Sequence, residues 1–281
     1  MTAAAVTVAV FAVTALGSCA LLAPADDGGA IPDEFTKEID VFAIPVVATD
    51  AVSDAKLRHG AAILAEYLDG DGDGVADDSA VAEHMASNDS IMVIAASVQE
   101  LESVDFGAFP GGGNRVGSMV ADELVLDRPM TSTTGFDAAL EEVLHLVTDT
   151  GFAEVYPDVW GEARGSDVAD AMDQARGGYF ASVPSSYPSG AWYTYSDESC
   201  DYACQVTEYT YWGVTTYLGL QADTWRAQAI ANEWQPATRS DLQNTDSDLY
   251  ALVSDWSTNR GFPTTAPDGT YSGMDLTIRT R

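Results

Sequence analysis

The spacing of apolar residues changes period several times along the chain. Between positions 134 and 151, Phe136, Leu140, Val143, Leu144 and Val147 recur at helical spacing and form one stripe, with Gly151 reading as a C-terminal stop. A second helix is predicted over 51–68, with Leu57, Ala61, Leu64 and Leu68 on its buried face, and a short one over 80–87. Helical patterns return over 201–218, 222–234 and 245–256, and Ser166 reads as the N-cap of VADAMDQAR. IMVIAA at 91–96 is a short β-branched run suited to a buried strand, and a second strand is predicted over 116–126. The run at 41–48 reads as an edge strand, because Pro45 cannot donate to a ladder, and 274–280 as a terminal strand. Between these lie the loop FGAFPGGGN (106–114) and an irregular aromatic segment over 178–196, suited to a packed surface or a substrate wall. Together the elements predict one α+β domain over 37–281, with helices packed on a small mixed or antiparallel sheet.

The polar side of the 134–151 helix is less ordinary than its apolar stripe. Asp137, Glu141 and His145 stand four residues apart and stack turn on turn, with Glu142 at the edge of that face. In the plainest interpretation this is a solvated face with a one-turn contact between Glu141 and His145. However, Glu141-Glu142-Val143-Leu144-His145 also resembles the HExxH zinc helix of zincin-type metallopeptidases, with glutamate in place of the first histidine. That resemblance implies a zincin-like fold with a sheet edge beside the metal helix that binds extended substrate. It also implies Glu141 and His145 as ligands to zinc or another divalent transition metal, and Glu142 as general base toward water. The carboxylate in place of a neutral imidazole lowers the net charge of such a site and its Lewis acidity. A later glutamate supplies the third ligand in gluzincins. Glu208, embedded among Tyr209, Tyr211 and Trp212, is the first choice, and Glu162, seventeen residues beyond His145, the second. Tyr209 and Tyr211 are the candidates to donate to a developing oxyanion. His59 and His84, the other two histidines, read as surface or capping residues.

Asp69-Gly70-Asp71-Gly72-Asp73-Gly74-Val75-Ala76-Asp77 resembles the calcium loop of EF-hand and dockerin-like or thrombospondin-type repeats. Asp69, Asp71, Asp73 and Asp77, with the Val75 carbonyl, would wrap the ion, in a loop over 69–80. Position 12 is Ala80, so the bidentate glutamate is missing, and Asp77, Asp78 or Glu83 is left to replace it. This favours a structural calcium site over a sensor.

Forty-four acidic residues face twelve basic ones, for a formal charge of −32, and the lysines are Lys37 and Lys56. Such a surface repels nucleic acid and anionic lipid and suits high external salt or a calcium-rich medium. Because the acid excess is spread along the chain and not confined to a tail, the halophilic reading is preferred. Residues 3–16 form an apolar run of signal-peptide length. Leu16-Gly17-Ser18-Cys19 resembles the lipobox of prokaryotic lipoproteins, which implies a signal peptide over 1–19, lipidation at Cys19 and a Pro- and Gly-rich tether over 20–36. Ala23-Pro24-Ala25 is a rival cleavage site. Cys200 and Cys204 then remain as a disulfide pair, with Cys200 just outside the helix beginning near 201.

The sequence therefore predicts a calcium-binding protein at the extracellular face of the cell envelope, anchored through a membrane lipid or secreted. It would carry a metal-dependent, peptidase-like site acting on a peptide or protein. The competing expectation is a non-catalytic, calcium-stabilised surface protein serving adhesion or matrix.

Overall fold

The computed structural model describes residues 29–255 and 262–281. The expected signal segment and Cys19 lie outside the described residues. Within them, no helix is long and apolar enough to cross a membrane.

The sheet is five-stranded and mixed. Strands β1 (Lys37–Val41) and β2 (Ile44–Ala48) form a tight antiparallel hairpin, β3 (Ile91–Ala95) and β4 (Val116–Val120) continue parallel to β2, and β5 (Arg279–Thr280) pairs antiparallel with β1. The order is β4-β3-β2-β1-β5. The expectation that 41–48 forms an edge strand is overturned. Val41 closes β1, and β2 lies inside the sheet. Pro45 is tolerated there because the register with β3 begins one residue later, at Val46 opposite Met92. All of β3 is buried, as its unbroken apolar run requires of a strand covered on both faces.

Helix α1 (Asp54–Leu68), capped by Ser53, crosses one face of the sheet with α4 (Ala139–Val147) beside it. Phe35, Val47, Ile91, Val93 and Phe109 make a smaller core on the opposite face, and Ile31 packs against it. Helix α2 (Ser79–Ser87) follows the acidic loop, and a single turn, α3 (Val98–Leu101), joins β3 to β4. The strand predicted over 116–126 ends at Val120, where a 3-10 turn over Ala121–Glu123 redirects the chain.

Gly151 does not stop the 134–151 helix. After Val147 the backbone widens into a π-helical turn, Thr148–Phe152, and runs on through α5 (Ala153–Val155) and α6 (Pro157–Trp160). Gly151 is there for close approach: a Cβ at this position would lie 2.8 Å from Val81 Cγ1 and 3.0 Å from Met85 Sδ of α2. Ser166 caps α7 (Asp167–Ala175) through the Ala169 N–H, as predicted. Asp201 caps α8 (Tyr202–Tyr217), and Cys200, just outside it, is disulfide-bonded to Cys204. Then come α9 (Thr224–Ile230), α10 (Arg239–Thr245) and α11 (Ser247–Ser254), the last capped by the buried Asp246. Helix α8 packs on α4, α7, α10 and α11, so its Glu208 is delivered to the face of α4 that carries His145.

Candidate metal centre

Glu141 and His145 stand one turn apart on α4, and α8 brings Glu208 against them. One donor atom from each lies within 4.8 Å of the other two. His145 Nε2 is 3.7 Å from Glu208 Oε2, and it is buried without a hydrogen-bond partner. A buried imidazole nitrogen left unmatched beside two carboxylates is costly unless something fills the space between them. An ion with bonds of about 2.0–2.1 Å wants its donors roughly 3.3 Å apart, so the His145–Glu208 pair at 3.7 Å is already close to that spacing.

The electrostatics also call for a cation. Burial alone would favour neutral imidazole at His145. Glu208, Glu142 and Glu141 outweigh it and push its pKa up to about 10. Burial raises Glu208 to about 7 against the pull of His145, and it raises Glu141 as well. One nitrogen and two carboxylate oxygens converging in a partly buried site are a donor set that suits a divalent metal.

Glu142, 31 % exposed, stands on the other side of the ring, its Oε2 3.8 Å from His145 Nδ1. From there it favours a proton on Nδ1, so that an ion at Nε2 would take the place of the second ring proton, and it also borders the adjoining cleft of about 210 Å³. The cleft runs between α4 and the outer strand β4. His145, Glu208, Asp149 and Cys204 line one side, and Arg115 to Ser118 the other. Gly117 keeps this wall thin, since a Cβ there would stand 2.9 Å from Met92 Cε and 3.2 Å from Leu146 Cβ.

The remaining candidates divide. Tyr211 reaches the centre: its ring meets that of His145 edge-on at 5.5 Å, and its phenol bonds Glu141. Tyr209 does not, because its hydroxyl turns away and donates to Asp246 at 2.6 Å. Glu162 is also outside the cluster, held by Thr207 and by Asp149. Asp137, expected to share the face of Glu141 and His145, is instead fully buried at the head of α4. It accepts from His59 Nε2 at 2.6 Å, Arg128 at 2.8 Å and the N–H groups of Val125 and Ala139. His59 is therefore a buried partner of Asp137 and not a surface residue. His84 does lie near the surface, paired with Glu154.

Two residues of the site escaped sequence reasoning. Tyr195, in the aromatic segment, donates to Glu208 Oε1 at 2.9 Å. Asp149, in the π turn four residues beyond His145, lines the cleft and bonds Glu162. Only the four-residue step was available as a signal for Asp149.

In the acidic loop, carboxylate oxygens of Asp69, Asp71 and Asp77 also come within 4.8 Å of one another. The Asp73 side chain is not among them; it accepts the Val75 N–H at 2.8 Å. Asp78 caps α2 and accepts from Tyr156, and Glu83 is exposed outside the cluster, so Asp77 is the one candidate replacement that joins it.

No protein-family model, curated protein or solved structure matches the chain.

Proposed function

We propose that the protein is a metal-dependent hydrolase of peptide bonds with a zincin-like centre, stabilised by calcium at the 69–77 loop and exported to the cell envelope. The observation that carries this reading is the convergence of Glu141, His145 and Glu208, with an unmatched buried nitrogen, on a cleft beside the outer strand of the sheet. Glu141, His145 and Glu208 would hold the metal, which supplies the Lewis acidity that polarises a carbonyl. Extended substrate would lie along β4, whose outer edge pairs with no other strand among the described residues. Glu142 borders the cleft and takes the proton of the attacking water. Glu208 is held by Tyr195, and Glu141 by Tyr211. The disulfide at the head of α8 suits an oxidising compartment.

Metal analysis by mass spectrometry, after dialysis against calcium buffer, tests this. The wild-type protein is expected to retain about one transition metal per chain, and His145→Ala to lose it. Glu142→Gln is expected to keep the metal while hydrolysis of a peptide library falls on the order of 10²–10⁴-fold. Calcium alone in the wild-type protein would defeat the hydrolase reading and leave the non-catalytic surface protein.

A further inference from the structure

Both carboxylates of the centre are held from behind by phenols, and the direction of each hydrogen bond can be worked out. Tyr195 Oη donates to Glu208 Oε1, while the other oxygen, Oε2, is the one 3.7 Å from His145 Nε2. A phenol keeps its proton at neutral pH, so at 2.9 Å from a carboxylate oxygen Tyr195 is the donor. On the opposite side, Tyr211 Oη accepts from Arg226 at 2.9 Å and from Gln221 Nε2 at 3.4 Å. Neither partner can take the Tyr211 proton through these contacts, so it goes to Glu141, to which the phenol is also hydrogen-bonded. Arg226 is itself fixed. Its Nε donates to Gln221 Oε1 at 2.7 Å, and its guanidinium lies 4.0 Å over the ring of Phe136.

The consequence concerns how each carboxylate can grip an ion. An oxygen that accepts a phenol hydrogen bond has committed a lone pair, and its carboxylate can no longer swing freely into a two-oxygen grip. Glu208 and Glu141 therefore each present one free oxygen, and with His145 Nε2 the centre offers three single-atom donors. Three such donors suit a small transition ion with an open position. Calcium needs six to eight oxygens at about 2.3–2.6 Å and commonly takes carboxylates with both oxygens.

We infer that Tyr195 and Tyr211 are positioning residues that set the metal selectivity of the centre, keeping Glu208 and Glu141 to one ligating oxygen each and thereby rejecting calcium in favour of a small transition ion. This rests on the metal-site reading above. Discrimination matters in a chain that also carries a calcium-type loop, because calcium sufficient for the loop would otherwise compete at the centre.

The test is competitive titration of the full protein with Zn²⁺ against a chromophoric chelator, with and without millimolar Ca²⁺, for wild type, Tyr195→Phe and Tyr211→Phe. In parallel, the visible spectrum of the Co²⁺-loaded forms is recorded, since its intensity reports coordination number. Wild type should bind one Zn²⁺ that calcium does not displace and give the intense Co²⁺ bands of a low-coordinate site. Each variant should lose zinc affinity by about 10–100-fold, become sensitive to calcium and give weaker Co²⁺ bands. Tyr195→Phe removes only a hydroxyl, so it carries the test if loss of the Arg226 partner prevents Tyr211→Phe from folding. Variants matching wild type within twofold in affinity, in calcium resistance and in spectrum would overturn the inference and leave the metal centre standing. A wild-type protein that binds no Zn²⁺ would remove both.

Discussion

Glu162, half-buried, and Asp149, at the surface of the π turn, form a second carboxyl pair beside the cleft. Burial, followed by the neighbouring Asp149 charge, pushes Glu162 up to about 8, and burial likewise raises Asp149. A carboxyl group whose pKa is raised on folding binds more protons folded than unfolded. Its stabilising contribution is therefore complete below the unfolded value of about 4.3 and is lost as pH rises through the folded value. Metal-free protein should melt at progressively lower temperature as pH is raised from 5 to 8, and Glu162→Gln, which mimics the neutral acid, should flatten that slope. Thermal melts across this pH range at fixed ionic strength would show it, and an unchanged slope in the variant would place the sensitivity elsewhere. At this scale the sequence disclosed what helical spacing could disclose. Glu141 and His145 share a helix, so one turn separates them in any fold that keeps it, and Glu208 stood out as an acid in an apolar surround. Tyr195 sits thirteen residues before Glu208 in a segment without regular structure, and nothing short of the tertiary fold brings it onto that carboxylate. The pairing of His59 with Asp137 was illegible for the same reason, since the contact spans 78 residues.

The element that organises the site is the continuous run from α4 through the π turn. A π turn inserts extra backbone into a helix and shifts the side chains that follow it, and such turns are frequent at functional sites. Here it places Asp149 in the cleft and Gly151 against α2. The 3.6-residue pattern correctly predicts the apolar face from Leu140 to Val147, but the helix begins at Ala139, so Phe136 lies before it, and the glycine that reads as a terminator serves close packing instead. Glycine composition cannot separate those two roles, because the reason lies on Val81 and Met85 of another element. Gly151→Ala should therefore destabilise the fold by about 1–3 kcal/mol through overpacking, even though alanine is the better helix former. Denaturant unfolding measures this directly, and a neutral or stabilising result would mean that the α2 contact is loose. Strand prediction met the same limit. The buried character of β3 was readable from its composition, but the interior position of β2 depends on a register that begins just past Pro45.

For the whole molecule, the difficulty is closing a fold that carries a formal charge of −32. The C-terminal segment is drawn back over the densest acidic region. Glu66 accepts the N–H groups of Asp268, Gly269 and Thr270, Tyr271 donates to Asp69, β5 pairs with β1, and Arg281 meets Glu38 at 3.1 Å. Asp69 is buried and also accepts the N–H groups of Gly72, Asp73 and Gly74. The loop that would hold calcium is thus the anchor of the terminal segment, and burial, with Asp71, Asp69 and Asp73 close by, raises Asp77 within it. A divalent cation there would relieve repulsion among Asp69, Asp71 and Asp77 and tighten the clasp through Tyr271. Monovalent salt would act differently, screening the whole surface without preference for the loop. At constant ionic strength, calcium is expected to raise the melting temperature beyond the effect of NaCl, with stabilisation approaching about 2.7 kcal/mol at a hundred times the dissociation constant. It should also slow amide exchange at 268–271. Asp71→Asn removes a charge from the exposed member of the cluster and leaves the Asp69 network intact, so it should reduce the calcium shift and preserve the response to NaCl. If calcium and NaCl act alike, and Asp71→Asn changes neither response, the loop is an acidic turn held by its own backbone bonds and the clasp owes nothing to the ion.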